Sequence, residues 1–258
     1  MRVFGSDIGC KNLAYCIFDI VDGKINIQSW DLVDLRECIC NKKLRNGKKC
    51  NKTATYEYVN DDGIVIRVCN SHKCSNCKRI KFKDNDDLNV YAERMKEYFS
   101  KVNITCDKYG IENQPTMKNP KMKSIQMLLF SYLSYFKLNN NPIELIHPKM
   151  KLSLIDNITK EIIKSYPKNK QYKVTKKLGI IITHYILDNE VTNKDQWINL
   201  FKDKTKQDDL CDAFLHAYYV VYGKNSKIED EEFINYVTEE INKGIVYAPR
   251  TLSTAVYT

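Results

Sequence analysis

The sequence predicts an α/β protein whose core is a mixed five-stranded sheet flanked by helices, with a small cysteine-rich insertion. Three strand-like runs open the chain, and two further strands alternate with helical segments later on. Six of the ten cysteines fall between Cys38 and Cys77, where lysines also concentrate. The abrupt change of composition at both ends of this stretch predicts a main domain over residues 1–35 and 83–258 and an insertion over 36–82.

The five predicted strands follow from apolar runs bounded by turn residues. The first three form an antiparallel meander, and the turn Val21-Asp22-Gly23 is typical of a hairpin. The later two are short and lie between helical segments. The predicted strands are Arg2–Ile8, Leu13–Ile20, Lys24–Leu35, Asp107–Asn113 and Pro142–His147.

The helices are predicted from apolar residues that recur every three or four positions. Pro120 suits the first position of a helix, because its missing N–H would have no partner there in any case. The predicted helices are 86–102, 120–137, Tyr172–Leu187, Asp208–Tyr222 and Glu229–Asn242.

Composition narrows the class of protein. The net charge of +9 and the pI of about 8.9 favour a polyanionic partner, since lysine and arginine neutralise phosphates. Hydrophobic residues make up 43% of the chain, which is enough for a sizeable core, yet no run is long and apolar enough to cross a membrane. No signal peptide precedes the first strand, so we expect an intracellular protein.

Two acidic residues stand at predicted strand ends. Asp7 ends the first strand in Gly5-Ser6-Asp7-Ile8-Gly9, and Glu112 ends the fourth in Ile111-Glu112-Asn113. Burying a carboxylate is costly unless it is paired or binds a metal. Carboxyl ends of parallel strands meet at one edge of a sheet, where α/β proteins bind ligands. Taken alone, each acid is explained equally well as a solvated strand end.

Three further acids open an otherwise apolar helix. Asp208 and Asp209 lie four and three residues before Asp212, so each shares a helix face with it. Acids suit a first helical turn, but this does not readily explain Asp212, which lies a full turn in. Oxygen ligands of this kind suit Mg²⁺. Two such ions about 4 Å apart hydrolyse phosphodiesters, one activating the attacking water and the other stabilising the leaving oxygen.

Together these motifs resemble the RuvC-like and poxvirus-type Holliday junction resolvases of the RNase H-like superfamily. The family has a first-strand Asp, a Glu at the end of a later strand and a closing D-x-x-D-A helix. Ile143–Lys149 resembles the family's fifth strand and following loop, and Tyr172–Leu178 its basic helix. The resemblance covers residues 1–35 and about 86–223 and implies an RNase H-like fold.

The resemblance implies a structure-selective endonuclease that resolves four-way DNA junctions in recombination and repair. It assigns catalysis and the binding of two Mg²⁺ ions, with Mn²⁺ as a substitute, to Asp7, Glu112, Asp209 and Asp212, and leaves Asp208 as a neighbouring candidate ligand. It also implies a homodimer that binds branched DNA. We expect the helix Met122–Phe136 to form the interface between the two subunits. The lysines that it makes candidates for phosphate contact are Lys149, Lys151, Lys173, Lys176 and Lys177.

The insertion carries the spacing of a zinc site. Three cysteines and one histidine lie in two groups, which is the usual layout of a structural zinc site. We expect the ligands to be Cys40, Cys50, Cys69 and His72. Three more cysteines leave open a second zinc ion: Cys38, Cys74 and Cys77. Six basic residues between Lys42 and Lys52 suggest that the insertion grips an arm of the DNA.

Other functions stay open at this point. The same fold would serve an RNase H-type or flap nuclease, and a zinc-dependent nucleic-acid-binding protein without catalysis is an alternative of another class. His216 follows Asp212 by one turn, and we expect it to pack in the core. The resemblance suggests a large DNA virus as source, and so the host cytoplasm. Mitochondria are less favoured, because no arginine-rich presequence is visible.

Overall fold

The computed structural model describes residues 1–36, 38–50, 52–80, 88–117, 119–136, 141–203, 206–223 and 231–244. Strands within these residues fall into one long sheet and two small ones. In chain order they are β1 (Arg2–Asp7), β2 (Leu13–Val21), β3 (Lys24–Val33), β4 (Cys38–Ile39), β5 (Thr53–Ala54), β6 (Tyr56–Val59), β7 (Val65–Val68), β8 (Lys78–Arg79), β9 (Lys108–Glu112) and β10 (Ile143–Ile146).

Each predicted helix is present, with ends displaced by a few residues, and two helices were not predicted. The unpredicted helices are α3 and α5. In chain order the helices are α1 (Leu88–Phe99), α2 (Pro120–Phe136), α3 (Asp156–Ser165), α4 (Lys168–Glu190), α5 (Lys194–Asp203), α6 (Gln207–Tyr222) and α7 (Glu231–Gly244). Among the described helices, none combines the length and the apolar character needed to cross a membrane.

The chain divides into two compact units. The first consists of Met1–Val33 and Val102–Thr258, and the second of Asp34–Lys101. The second unit includes α1, which the sequence-based boundary at residue 83 leaves with the main domain.

The first unit contains the predicted mixed five-stranded sheet. Its strand order is β10-β9-β1-β2-β3, with β1, β2 and β3 antiparallel and with β9 and β10 parallel to β1. Ser6 pairs with Ile111 in the parallel ladder, so the next residues along, Asp7 and Glu112, end their strands side by side. The topology therefore brings both carboxylates to one edge of the sheet.

Two glycines allow α6 to pack closely on this sheet. A Cβ atom placed on Gly5 would overlap the backbone of Ala213 and Ala217, and one on Gly110 would lie 2.9 Å from the carbonyl oxygen of His216. Any side chain at these two positions would therefore push the helix away. Trp30 anchors the same helix from β3, because its indole N–H donates to the Leu210 carbonyl at 2.9 Å. The acids at the start of α6 are thus held near the strand ends.

The second unit is built from very short strands. The hairpin β6–β7 pairs Tyr56 with Val68 and turns at Gly63, whose φ of 76° is a conformation that glycine adopts without strain. β4 pairs with β5, and β8 adds to the edge of β6. One small cluster of buried residues in this unit consists largely of cysteines: Cys40, Cys50, Val68 and Cys69.

Candidate active site and metal centre

Four of the sequence-predicted acids lie together in one cleft of the first unit. Asp7 and Glu112 come from the ends of β1 and β9, and the other two come from the first turns of α6. The cleft has a volume of about 680 Å³. We call these residues the acid cluster: Asp7, Glu112, Asp209 and Asp212, all of which line the cleft.

Five lysines line the same cleft. Lys149, Lys151 and Lys176 were predicted from the sequence, whereas Lys160 and Lys164 were not, since they lie on the unpredicted helix α3. Of the other two predicted lysines, Lys173 is exposed and Lys177 half-buried, both on α4. A cleft lined by both carboxylates and lysines suits a phosphate backbone and the cations that accompany it.

Two of these lysines form ion pairs with acids of α6. Lys151 pairs with Asp212, and the two side chains are 14% and 15% exposed. Lys176 pairs with Asp208, one turn before Asp212. For Asp209, burial and the charge of Asp208 raise the pKa, and Asn12 in the turn after β1 acts in the opposite direction. The two neighbouring acids therefore differ: Asp208 forms an ion pair with a lysine, whereas Asp209 lines the cleft.

Crowding of carboxylates shifts their pKa values. Burial and the nearby charge of Glu112 raise the pKa of Asp7 well above its ordinary value. Burial also raises the pKa of Asp212 to about 6, although Lys151 acts in the opposite direction. For Glu112 burial opposes ionisation, but the interaction with Asp7 and the charge of Lys151 lower its pKa. Asp7 therefore keeps a proton more readily than Glu112, which reduces the repulsion within the acid cluster.

Neighbouring groups hold Glu112 in place. The backbone N–H of Ile8 donates to its Oε2 at 3.4 Å, and the Gln114 side-chain amide donates to the same oxygen. The backbone N–H of Gln114 in turn donates to Gln126 of α2 at 2.7 Å. These contacts fix the carboxylate against the adjoining strand.

His216 is fully buried behind the acid cluster. Its Nδ1 lies 3.0 Å from the carbonyl oxygen of Ser6, and burial lowers its pKa to about 4. The ring is therefore neutral at physiological pH and bridges α6 to β1. This position agrees with the expected role in core packing.

The second unit contains a cysteine–histidine cluster that could hold a metal ion. Its ligand atoms all lie within 4.8 Å of one another. The His72 Nδ1 atom lies 3.3 Å from the Cys40 sulfur and 3.4 Å from the Cys69 sulfur, and the sulfurs of Cys50 and Cys69 are 3.9 Å apart. The four ligands are those expected from the sequence: Cys40, Cys50, Cys69 and His72.

The three distances just given are close to those of a tetrahedral zinc site. Zinc–sulfur bonds of about 2.3 Å and zinc–nitrogen bonds of about 2.0 Å place two tetrahedral sulfurs about 3.8 Å apart and a sulfur and nitrogen about 3.5 Å apart. The Cys69 thiol also ionises more readily than an ordinary cysteine. Burial opposes its ionisation, but hydrogen bonds from the Ser71 backbone and from His72 lower its pKa to about 7. A thiolate is the form that binds metal.

The remaining cysteines of the insertion lie outside this group of four. The Cys74 and Cys77 sulfurs are 2.9 Å apart, and the Cys74 N–H donates to the Cys77 sulfur. Cys77 also packs against the core of the second unit. The side chain of Cys38 lies outside the described part of the structure, so the predicted second zinc site stays a prediction.

Comparison with known proteins finds a relative by sequence and a similar solved structure. An uncharacterized protein of Acanthamoeba polyphaga mimivirus is 27% identical in an alignment that covers 94% of this chain and 80% of the relative. The crystal structure of the yeast mitochondrial Holliday junction resolvase Ydc2 aligns with 86% of this chain and 83% of its own, with a TM-score of 0.41 and 12% identity. No model of a known protein family matches the chain.

Proposed function

We propose that this protein is a metal-dependent endonuclease of RNase H-like fold that resolves four-way DNA junctions. The observation that carries the proposal is the cleft itself, in which four carboxylates from two strand ends and one helix share a single cavity with five lysines. Carboxylates alone would suit many cation sites. Their combination with lysines suits a substrate that is itself a polyanion.

The acid cluster fits Mg²⁺ by the chemistry of its donors. All four members offer carboxylate oxygens, the ligands that this hard cation prefers. Asp7, Glu112, Asp209 and Asp212 would hold two ions, and Mn²⁺ would serve as a substitute. When bound, such ions supply Lewis-acid activation of a water molecule and neutralise charge that develops on the phosphodiester.

Residues of the chain contribute charge balance and substrate contact. Lys151, paired with Asp212, offsets part of the repulsion among the acids. Lys149, Lys160 and Lys164 are exposed at the cleft and would contact phosphates on either side of the cut. Such contacts position the backbone but carry no sequence information.

Selectivity for branched DNA rests on the resemblance of the motifs to junction resolvases. Two cuts across a junction need two active sites, so we propose a homodimer with α2 as the interface element. In the second unit, the cysteine–histidine cluster would bind one structural zinc ion. The basic stretch between Lys42 and Lys52, exposed except at buried Cys50 in its described residues, would grip an arm of the DNA.

Cleavage of matched substrates tests the proposal. Purified protein is incubated with a labelled four-way junction, a duplex of the same sequence and an RNA–DNA hybrid, each with Mg²⁺ or with EDTA. We expect paired symmetric cuts in the junction alone, and only with Mg²⁺. Equal or preferential cutting of the hybrid would indicate an RNase H-type nuclease, and binding without cleavage in any metal would indicate a nucleic-acid-binding protein.

A further inference from the structure

An exposed tyrosine lies in the cleft beside the acids and lysines. Tyr172, on α4, is 72% exposed, yet it lines the same cavity as Asp7 and Asp212. This exposure rules out a role in core packing, so the ring is accessible to a ligand that enters the cleft. Neither the carboxylate chemistry nor the phosphate contacts of the proposed nuclease use this ring.

The ring of Tyr172 is backed by a fixed cation. Lys176 lies one helical turn later, and its Nζ atom is 5.4 Å from the ring centroid. The ion pair between Lys176 and Asp208 restrains the lysine. One side of the ring therefore faces a positive charge, while the high exposure of the side chain leaves much of its surface accessible to a ligand.

The surroundings of the ring suit a flat, partly apolar ligand attached to a phosphate. Leu152 and Ile163 contribute apolar side chains to the cleft, and Gln171 and Thr175 contribute hydrogen-bonding groups on the same helix as Tyr172. Aromatic rings next to lysines in a basic groove are the usual platform on which single-stranded nucleic acid stacks its bases. A nucleotide offers a flat base for the ring and a phosphate for the lysines.

We propose that Tyr172 stacks on an unpaired nucleobase next to the scissile phosphate. The inference rests on the proposed nuclease function and deepens it by naming a substrate class, DNA that offers at least one unpaired nucleotide beside the cut. In an intact duplex each base is already stacked on both faces, and extruding one costs a few kcal/mol. A branch point, bulge or gap supplies such a base without that cost.

Binding without cleavage isolates this contact. DNA with a single unpaired 2-aminopurine and the matched duplex are titrated with protein in buffer without added Mg²⁺, which prevents cleavage and leaves zinc bound, and both affinity and fluorescence are measured. We expect the wild-type protein to prefer the bulged DNA and to quench its fluorescence. Tyr172→Ala should weaken binding of the bulged DNA by about 5- to 100-fold, as loss of one stacked base does, and abolish the quenching.

Two further variants distinguish stacking on an aromatic ring from contact with any large apolar side chain. Tyr172→Phe keeps the ring and should retain both affinity and quenching, whereas Tyr172→Leu keeps an apolar side chain without the ring and should behave like Tyr172→Ala. All variants should bind the intact duplex as the wild type does, within about twofold. Retained quenching in Tyr172→Leu would contradict the proposal and indicate a merely apolar contact.

The outcome also distinguishes this inference from the proposed function. If the wild-type protein cuts DNA with Mg²⁺ but Tyr172→Ala keeps the wild-type preference for bulged over intact DNA, the stacking role is wrong and the nuclease function stands. If the wild-type protein neither binds nor cuts any of the DNA substrates, both are wrong.

Discussion

The two candidate metal centres of this protein differ in how complete they are. In the second unit, three sulfurs and one nitrogen converge within 4.8 Å and form a closed set of ligands. In the first unit, the four acids are spread around a cleft of about 680 Å³, and lysines rather than ligands balance their charge. The first arrangement resembles a site that stabilises structure, and the second a site that admits a substrate.

The contrast follows from the chemistry of the side chains. Thiols and imidazole are neutral or nearly so until they bind, so they can cluster at little cost. Carboxylates repel one another and resist burial, so a group of four persists only with a shared proton or a nearby cation. The acid cluster has both: Lys151 is the cation next to Asp212, and the raised pKa of Asp7 means that this side chain holds a proton more readily than an ordinary aspartate.

The largest effect should follow from breaking the closed site. Three of the five strands of the second unit are only two residues long, so strand pairing contributes little stability to the segment that carries the cysteine–histidine cluster. We expect one zinc ion per chain, and we expect Cys69→Ser to lose it. Metal binding stabilises small zinc domains by on the order of 10 kcal/mol. Limited proteolysis should then cut within residues 34–101 and spare the first unit.

A matched substitution provides the control for zinc loss. Cys74 lies in the same unit but outside the group of four, so Cys74→Ser should keep both the zinc and the resistance to protease. Elemental measurement that finds no zinc in undenatured wild-type protein would refute the zinc assignment. Two zinc ions per chain would instead favour a second site at Cys74 and Cys77.

The next effect concerns two adjacent acids of the open site. Asp209 lines the cleft, whereas Asp208 holds Lys176, so their loss should differ although they are neighbours in the chain. We expect Asp209→Asn to reduce the cleavage rate at least about 100-fold and to retain junction binding. Asp208→Asn should reduce the rate less than about tenfold.

Rates and affinities of both variants measured on one labelled junction decide this point. A loss of rate in Asp208→Asn that matches the loss in Asp209→Asn would mean that Asp208 is the ligand and that the pairing with Lys176 is broken by metal. A loss of binding as well as cleavage in Asp209→Asn would assign that residue a structural role.

The sequence predicts the residues of the two candidate metal sites better than it predicts the helices and ion pairs around them. The sheet, the strand-end acids and the four candidate metal ligands of the second unit follow from periodicity, turn residues and spacing. Helix α3 was not predicted, since its sequence Asp-Asn-Ile-Thr contains residues of low helix propensity. Burial of Ile162 in the core of the first unit stabilises this helix despite its low local propensity.

The ion pairs of the cleft could not be predicted for a different reason. Lys151 and Asp212 are 61 residues apart in the chain, and only the packing of α6 against the 3-10 segment Met150–Ile155 brings them together. Lys160 and Lys164 were likewise missed, because their place in the cleft depends on a helix that was not predicted. Pairs of this kind are a property of the tertiary fold.

The smallest effect, and the sharpest test of the open site, is a dependence of stability on pH. The pKa of Asp212 is about 6 in the folded protein and 3.8 ordinarily, so the folded state keeps a proton that the unfolded state has lost. Stability without divalent cations should therefore fall as the pH rises from about 4 to about 6, by at most roughly 3 kcal/mol from this residue. Asp7, whose pKa is also raised, acts in the same direction, and Glu112, whose pKa is lowered, opposes it.

Thermal unfolding with and without added Mg²⁺, followed across this pH range, measures the effect, and EDTA is avoided because it would also remove zinc. Asp212→Asn removes the titrating group, so its stability without Mg²⁺ should fall less between pH 4 and pH 6 than that of the wild type. Mg²⁺ at about 100 times its dissociation constant should raise the stability at neutral pH by roughly 3 kcal/mol, because it binds only the folded state. A wild-type stability that rises through this window without Mg²⁺ would mean that the acids are already neutralised by their lysines, and that no cation is needed to hold them together.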